Sequence, residues 1–542
     1  KDKISAGPLA LVSQSGAFGT ALLAQCEQEG LQFGYFVSSG NESQLEFSDF
    51  ARYLIEQDNV QILCGYLESM REGATFIDLA LEAQRRGKPL ILLKVGSTEA
   101  GAMAAQSHTG ALVGSDEIAQ VFFDALNVVR AKDGQDLLDL LRVFQRTPAS
   151  RGKRLVILSH SGGAGVMAAD AAQVAGADIL PLPADLVERL AKILPAFASL
   201  KNPLDMTGGA SLDGRLMANC LREVLSHPDV DAALLCVNLI WREGEILMNE
   251  LSAVGSEINK PFAISWIAPR ADIDEALRHV SYPVFGDPGR AAQALMRRIN
   301  FDGNCRDRKF ERGLSRPATL SSKRMLNPIV SSEDRSRLLR DYGIRLPSQI
   351  IARSVEEALQ FQQASGSRVA LKIASPDIAH RTEIGAVAIG LEDEQGIRRA
   401  YRSILAAAET HCPDARIDGI LVQEMVSGFE VLVSFKRDPV FGPVVVFGPG
   451  GTFVELIGRV ETRPAPLSSA QASVAIRSSV LAPLLDGYRG GLRLDSEALA
   501  DLVERVSWMA VDNPGILEME LNPVMVLPAG KGCVAVDYKI VS

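Results

Sequence analysis

The apolar positions of this chain fall into two textures. From Leu9 they form short continuous runs, LALVSQ, FGYFVS, VQILCGYLE and PLILLKV, separated by stretches with helical spacing from Ala17 to about Gln28 and near Leu45 to Ile55. Unbroken Val/Ile/Leu runs alternating with helices predict a parallel sheet covered on both faces. A second block of this kind starts at RLVILSH (154–160) and runs through AALLCVNL, PFAISWI and YPVF to about Ile299. Residues 301–328 lose the periodicity and gain charge and Ser, which predicts a linker. From about Ile329 the runs follow one another across Gly-rich turns: VALKIAS, AVAIGL, GILVQEMV, EVLVSFKRD, GPVVVFGPGG and, after a long helix, ILEMELNPVMVL and CVAVDYKI. Strands in series with few helices between them predict an α+β module. The expected organisation is α/β, with domains at 1–150 and 151–300, a linker at 301–328 and an α+β domain at 329–542.

At 542 residues and 47% hydrophobic content, the chain can bury more than one core. Lys and Arg total 56 against 66 Asp and Glu, a net charge of −10 without long single-sign runs, which argues against a nucleic-acid or anionic-membrane partner. The seven cysteines (Cys26, Cys64, Cys220, Cys236, Cys305, Cys412, Cys533) are scattered and form no C-x-x-C pair, so neither a zinc site nor a disulfide framework is indicated, and a reducing cytoplasm fits. No signal peptide or apolar run of transmembrane length is seen. The sequence begins at Lys1, almost directly on a strand, and the protein is expected to start earlier.

The chemistry gathers at strand ends. The first strand runs into Ser13-Gln14-Ser15-Gly16-Ala17-Phe18-Gly19, where small residues open a helix. Free backbone N–H groups and the positive end of the helix dipole make such a turn an anion site. RLVILSH leads in the same way into Ser161-Gly162-Gly163-Ala164-Gly165. Alone, each reads equally as an ordinary Ser N-cap beside turn glycines. A third feature is His108 in Ser107-His108-Thr109-Gly110-Ala111, expected to be a mobile loop after PLILLKV. An imidazole with a reference pKa of about 6.5 is partly neutral near pH 7, so its nitrogen can take up a phosphoryl group and release it. Glu68, ending VQILCGYLE, sits where parallel-sheet sites form and is suited to orient an imidazole; a solvated loop carboxylate is the alternative.

Together, S-x-S-G opening a helix, S-H-T-G-A, H-S-G-G-A-G, N-P-L-D-M-T-G-G (202–209), V-A-L-K, S-P-D-I-A-H-R-T-E-I-G and L-N-P-V resemble the nucleoside-diphosphate-forming (ADP-forming) acyl-CoA synthetases, relatives of succinyl-CoA synthetase, over nearly the whole chain. The resemblance implies two flavodoxin-like domains, the second a ligase-CoA domain, followed by an ATP-grasp domain. It implies that ATP, a carboxylic acid and CoA give ADP, phosphate and acyl-CoA through a phosphohistidine and an acyl phosphate. It puts the phosphohistidine at His108, its orienting carboxylate at Glu68, and the phosphate-holding helix ends at Ser13, Ser15 and Gly16 and at Ser161, Gly162 and Gly163. Two converging dipoles suit a dianion with no Lys or Arg nearby. His160 departs from the family pattern, where Asn is common; a rival phosphate acceptor and an extra donor are its two readings.

In the ATP-grasp part the resemblance implies nucleotide contacts at Lys372, a compact point charge for the phosphates, and at Gln423, Glu424 and Val426. It implies Mg²⁺ ligands at Asn522 and Asp537, with Glu520 on the same strand face as Asn522. His380 resembles a second, relay phosphohistidine near ATP, supported by Arg381, Thr382 and Glu383, and Phe447-Gly448-Pro449-Gly450-Gly451 is expected near the nucleotide. The family's N-terminal CoA-binding domain has no counterpart here, so weak CoA binding is expected of this chain alone, with association into a homo-oligomer or with a CoA-binding domain. Two other readings remain open: a synthetase-like regulatory or acetyltransferase-associated sensor of nucleotide or acyl-CoA, and an ATP-grasp ligase acting without the first two domains. The particular acid is not readable from the residues.

Overall fold

The protein is represented by a computed structural model that describes residues 7–109, 115–240, 242–307, 313–318, 320, 332–378, 383–451 and 458–541. It divides into two units, Lys1–Asp116 with Phe123–Phe310, and Glu117–Phe122 with Glu311–Ser542. Among the described residues no helix is long and apolar enough to cross a membrane.

The first unit holds two parallel sheets. In one, β1 (Leu9–Ser13), β2 (Phe33–Ser38), β3 (Ile62–Leu67), β4 (Leu90–Lys94) and β5 (Val129–Arg130) lie in the order β2-β1-β3-β4-β5. In the other, β6 (Leu155–Ser159), β7 (Leu204–Asp205), β8 (Ala232–Asn238), β9 (Phe262–Ile267) and β10 (Val284–Phe285) lie in the order β10-β9-β8-β6-β7. Every strand of β1, β4 and β6 is buried along its full length, as expected of runs covered on both faces. In each sheet the first strand has its successor on one side and the next strand on the other, so a topological switch point opens at the carboxyl edge beside β1 and β3, and again beside β6 and β8.

The helices follow from spacing and caps. The helix α1 (Gly16–Gln28) starts at Ser15, whose hydroxyl accepts from the Phe18 N–H. The helices α2 (Phe47–Ile55), α3 (Gly73–Arg85), α4 (Glu99–Thr109) and α5 (Asp116–Ala125) follow. Next, α6 (Gly134–Arg146) starts at Asp133, whose carboxylate accepts from the Asp136 N–H at 2.8 Å. Its Leu137, Leu140, Leu141 and Phe144 fall on one face at helical spacing and are buried, each such side chain contributing about 1.5–3 kcal/mol. With α7 (Gly162–Val174) and the helix Pro288–Asp307 they enter one apolar cluster that also takes in α1 and both sheets. The two carboxyl-edge turns therefore stand on a shared core. Arg290 adds a bidentate pair to buried Asp139 at 2.7 and 2.8 Å.

Two local expectations are corrected. Ser107-His108-Thr109, expected as a loop, forms the last residues of α4, because Glu99–Thr109 is rich in Ala, the strongest helix former, and carries Glu99 in its first turn. Residues 301–307, expected as linker, continue the helix that begins at Pro288: Phe301 and Asp302 are buried, and the Asp302 carboxylate accepts from the Ser150 N–H at 2.8 Å. Charge near the helix end masked the periodicity.

The second unit is built on two antiparallel sheets. One has β11 (Gln349–Ala352), β12 (Val369–Ala374), β13 (Val387–Leu391) and β14 (Gly419–Glu424) in the order β11-β14-β12-β13. The other has β15 (Phe429–Asp438), β16 (Gly442–Pro449), β17 (Glu461–Pro464), β18 (Glu518–Val526) and β19 (Cys533–Ala535) in the order β17-β16-β15-β18-β19, with β20 (Tyr538–Val541) paired to β18. The helix Ser496–Asp512, capped by Asp495, buries Leu499, Val503 and Val506 in the second sheet's core.

Candidate active site

The two turns of the first unit are copies of one device. Aligned on their strands, Ser13-Gln14-Ser15-Gly16-Ala17-Phe18-Gly19 and Ser159-His160-Ser161-Gly162-Gly163-Ala164-Gly165 share S-x-S-G-x-x-G. In both, a fully buried strand-end serine donates its hydroxyl to the carbonyl two residues on: Ser13 to Ser15 and Ser159 to Ser161, each at 2.7 Å. The first helical residue is Gly in both, which leaves the backbone N–H groups open to an anion.

The residue between the serines reaches across the switch point in both copies. Gln14 accepts through Oε1 from the backbone N–H of Glu68 at 2.6 Å and of Ser69 at 3.1 Å, and donates through Nε2 to the Ser69 carbonyl at 2.9 Å. His160 accepts through Nε2 from the backbone N–H of Asn238 at 2.8 Å. The registers match, since Ser13 pairs with Tyr66 and Ser159 with Cys236, so Glu68 and Asn238 each lie two residues beyond the partner. Asn238 is thus the second sheet's counterpart of Glu68, and His160 the counterpart of Gln14. The His160 Nε2 lone pair is therefore taken by a backbone donor, which puts the ring proton on Nδ1. Burial holds the imidazole pKa below its ordinary value, so the ring is neutral, as an acceptor must be. The Asn238 Oδ1 is buried and has no hydrogen-bond partner among the described residues.

The position His108 lies on α4, between β4 and α5. The segment that carries it is closed at its base by Lys94, the last residue of β4, which donates to Asp116 Oδ1 at 3.0 Å, while Arg130 donates to the same oxygen at 2.7 Å. Glu68 is largely buried.

In the second unit, Lys372 and Gln423 share a sheet face. Leu371, Ile373 and Val422 point into the helix-covered core, so their alternates on β12 and β14 face the other way. Lys372 is buried, donates to the Val536 carbonyl at 3.1 Å and lies 3.5 Å from Asp537. Gln423 donates to Gln349 at 2.8 Å, while its Oε1 is buried with no hydrogen-bond partner among the described residues. Glu424 ends β14, and Val426 lies two residues beyond, half-buried. Glu520 and Asn522 share the outward face of β18, where Asn522 Nδ2 donates to Glu520 at 3.0 Å. The Asn522 N–H donates to the Asp537 carbonyl at 3.1 Å. Glu520 and Asn522 are thus bonded to each other, and Asn522 to the backbone of Asp537, whose carboxylate lies beside Lys372. The Gly451 N–H donates to Asn522 Oδ1 at 3.0 Å, which brings the FGPGG turn to these residues. Gly451 has φ +57°, and a Cβ there would collide with Glu430. His380, Arg381 and Thr382 lie outside the described residues.

Family models for a succinyl-CoA ligase-like flavodoxin domain, a ligase-CoA domain and an ATP-grasp domain match residues 6–144, 155–289 and 323–541. The acetate–CoA ligase [ADP-forming] I of Archaeoglobus fulgidus is 33% identical over 99% of this chain and 78% of its own. The 4-hydroxybutyrate–CoA ligase [ADP-forming] of Nitrosopumilus maritimus is 30% identical over 98% of this chain and 78% of its own. Among solved structures, a dinucleotide forming acetyl-coenzyme A synthetase 1 of Ca. Korarchaeum cryptofilum, in complex with phosphate and ADP, is 29% identical at a TM-score of 0.53, covering 57% of this chain and 67% of that one. The chain belongs to the family of ADP-forming acyl-CoA ligases. These are ATP-dependent acid–thiol ligases, and the expected pair of flavodoxin-like sheets followed by an ATP-grasp region is what the ligase has.

Reading the ligase's sequence missed Gln14 and Asn238. The signal was there in the spacing: aligning the two S-x-S-G-x-x-G turns sets Gln14 against His160, and the strand-end residues Glu68 and Asn238 then follow as a pair.

Proposed function

We propose that this ligase moves the terminal phosphoryl of ATP to His108, that the Ser13–Gly16 and Ser161–Gly163 turns hold this phosphoryl while it passes from His108 to a carboxylic acid, and that CoA then displaces phosphate from the acyl phosphate. The observation that carries the reading is the duplicated turn: two helix N-termini with open backbone donors at equivalent switch points of two sheets on one core.

The steps balance. An imidazole nitrogen of His380 attacks the γ-phosphorus, the P–O bond to ADP breaks and a P–N bond forms; a nitrogen of His108 then takes the phosphoryl, forming its own P–N bond as the one to His380 breaks. A carboxylate oxygen of the acid then attacks the same phosphorus, breaking the P–N bond and forming an acyl phosphate. Attack of the CoA sulfur on the acyl carbon expels phosphate, and the thiol proton leaves to solvent. Glu68 orients the imidazole at the turns, as the third member of a triad does. In the second unit Lys372 and Gln423 hold nucleotide, with Glu424 and Val426 continuing the contact. Bound Mg²⁺ would neutralise charge on the ATP phosphates, and Glu520, Asn522 and Asp537 are the residues placed to hold it. His380 serves as the relay acceptor nearest ATP. The acid is a small carboxylate; the relatives' names span acetate and 4-hydroxybutyrate. A reducing cytoplasm is the compartment that seven scattered cysteines without a C-x-x-C pair support.

Labelling with γ-³²P ATP and Mg²⁺ tests this. Wild type is expected to carry acid-labile, base-stable label, His108→Ala to lose the label that acid and CoA discharge, and His380→Ala to slow its appearance. Label that persists when both imidazoles are gone refutes the relay. A nucleotide or acyl-CoA sensor on this scaffold would take no label at either ring.

A further inference from the structure

A cavity of about 1080 Å³ in the second unit has no part in the reaction as described so far. Its floor is the end of a sheet. Ile351 of β11 and Leu421 of β14 pair with each other and, alternating with the core residues Ile420 and Val422, lie on the face turned away from the helix-covered core. Its walls are the helix Ser332–Asp341, which brings Ser336 and Arg340, and Tyr538 of β20, whose hydroxyl lies 2.6 Å from Ser336 Oγ. None of Lys372, Gln423, Glu424 and Val426 lines it. Gly419 opens β14 and Glu424 closes it, so at about 3.3 Å per residue the rim at Gly419 stands about 16 Å from the end assigned to nucleotide. The volume is that of a site for a small organic ligand.

The charges around the cavity do not cancel. Of its carboxylates, Glu333 lies 3.6 Å from Arg337, Glu357 accepts from the Arg353 N–H at 2.8 Å, and Asp418 lies 3.8 Å from Arg416. The guanidinium groups of Arg340 and Arg353 have no ion pair or hydrogen bond among the described residues. They come from different elements, Arg340 from the last turn of its helix and Arg353 from the residue after β11. Beside Arg353 the backbone is tightly built. Ala352 pairs with Ile420, and a Cβ on Gly419, at φ +145°, would fall 2.8 Å from the Ala352 carbonyl, so glycine is what lets the two strand ends meet. Asp418 precedes that glycine, lines the same cavity, and has its Oδ2 buried with no hydrogen-bond partner among the described residues.

We propose that this cavity is a binding site, separate from the nucleotide contacts, for an organic phosphate that carries hydroxyl groups. The planar fork of a guanidinium takes two phosphate oxygens at once, and Arg340 and Arg353 supply two such forks. An ionised carboxylate oxygen only accepts, so Asp418 Oδ2 calls for a hydroxyl on the same ligand. Inorganic phosphate meets the first demand and leaves the second, and a neutral sugar does the reverse. The site does not depend on the phosphoryl relay, whose residues lie elsewhere.

Ribose 5-phosphate is the probe, because it carries both groups and no base. Calorimetry is run on the full chain with ADP and Mg²⁺ at saturation, so that the nucleotide contacts are already filled. Wild type is expected to bind ribose 5-phosphate at least about tenfold more tightly than inorganic phosphate, and ribose is expected to give no heat of binding. Arg340→Ala and Arg353→Ala are each expected to weaken the probe about tenfold or more, while Arg402→Ala, exposed and outside the lining, changes its affinity less than about twofold. ADP affinity and melting temperature, measured alongside, are expected to stay at wild-type values in all three variants. No binding to wild type, displacement of ADP by the probe, undiminished binding in either arginine variant of the cavity, an equal loss of ADP affinity there, or inorganic phosphate held as tightly as ribose 5-phosphate would each overturn the site. Failure of His108 to take label would overturn the proposed function and leave this site standing.

Discussion

Gly19→Ala and Gly165→Ala make the same change at equivalent places in the two turns, yet opposite outcomes are expected. An added Cβ at Gly19 would fall 2.8 Å from the Ser13 Cβ, 2.9 Å from its Oγ and 2.9 Å from the Phe36 ring. At Gly165 its nearest neighbours are Ser159 Cβ at 3.4 Å and Pro203 Cβ at 3.5 Å, ordinary contact distances. The Phe36 ring is partly exposed and can swing away, whereas Ser13 is fully buried and held by its 2.7 Å bond to the Ser15 carbonyl. Overpacking of this kind costs about 1–3 kcal/mol, and loss of the Ser13 bond about 0.5–1.5 kcal/mol more. Ala over Gly in a helix returns about 0.5–1 kcal/mol at either site. The net expectation is that Gly19→Ala destabilises by about 1–3 kcal/mol and Gly165→Ala stabilises by about 0.5–1 kcal/mol. A chain of two units need not unfold in one step, so the readout is hydrogen exchange in peptides covering Leu9–Gln28 and Leu155–Val174. Faster exchange is expected in the first peptide of Gly19→Ala and slower exchange in the second peptide of Gly165→Ala. Equal destabilisation by the two variants would refute the reasoning, because it would mean that backbone demands, common to both turns, outweigh the difference in packing.

Replacing His160 by Gln places the first sheet's clamp in the second. The folded imidazole is held neutral, with its pKa below the ordinary value, while the unfolded one titrates at about 6.5. The unfolded state therefore binds more protons below that pH, and wild-type stability falls as pH drops from 7 to 5. His160→Gln is expected to flatten that fall in melting temperature, and an unchanged slope would show that the ring is not the group responsible. Asp116→Asn leaves Lys94 and Arg130 facing an uncharged amide. Burial alone would raise the Asp116 pKa, but the bonds from Arg130 and Lys94 outweigh it and hold the carboxyl below its ordinary range. Its contribution is present above about pH 3.9 and is lost as pH falls through the lower folded value. With the carboxylate 21% exposed, about 2 kcal/mol is expected from denaturant midpoints near neutral pH, and the gap between wild type and variant should narrow as pH falls below about 3.9. Lys372→Met is expected to slow labelling of His108 by ATP at least tenfold while leaving discharge to acetate unchanged; slowing of both would place Lys372 in the fold of its unit rather than at the phosphates.

What the residues disclosed in advance depended on whether the cause was local. Continuous apolar runs at β1, β4 and β6 marked strands buried on both faces, because nothing but a covered parallel sheet accepts such runs. The Ser15 cap and the glycines after it marked the turn, because capping is decided within four residues. His108 was visible as chemistry but misjudged as structure: Gly110 and the hydroxyls around it suggested a loop, whereas helix formation is decided over a longer window, and the Ala-rich stretch from Glu99 prevailed. The same weighing of charge against periodicity hid the end of the Pro288–Asp307 helix. Gln14 and Asn238 were missed for a different reason, since each acquires its meaning only from strand register. No property of Gln14 in the sequence says that it will take the N–H groups of Glu68 and Ser69, and nothing in Asn238 says that two residues beyond Cys236 is the place held by Glu68 on the other sheet. The register also supplies a physical reason for the difference between the copies. Where the first turn has a carboxylate at that place, the second has an uncharged amide, so the two copies differ by one unit of charge at that register position. In the proposed reaction this would give the imidazole a carboxylate acceptor at the first turn, where Glu68 stands, and an amide at the equivalent place of the second.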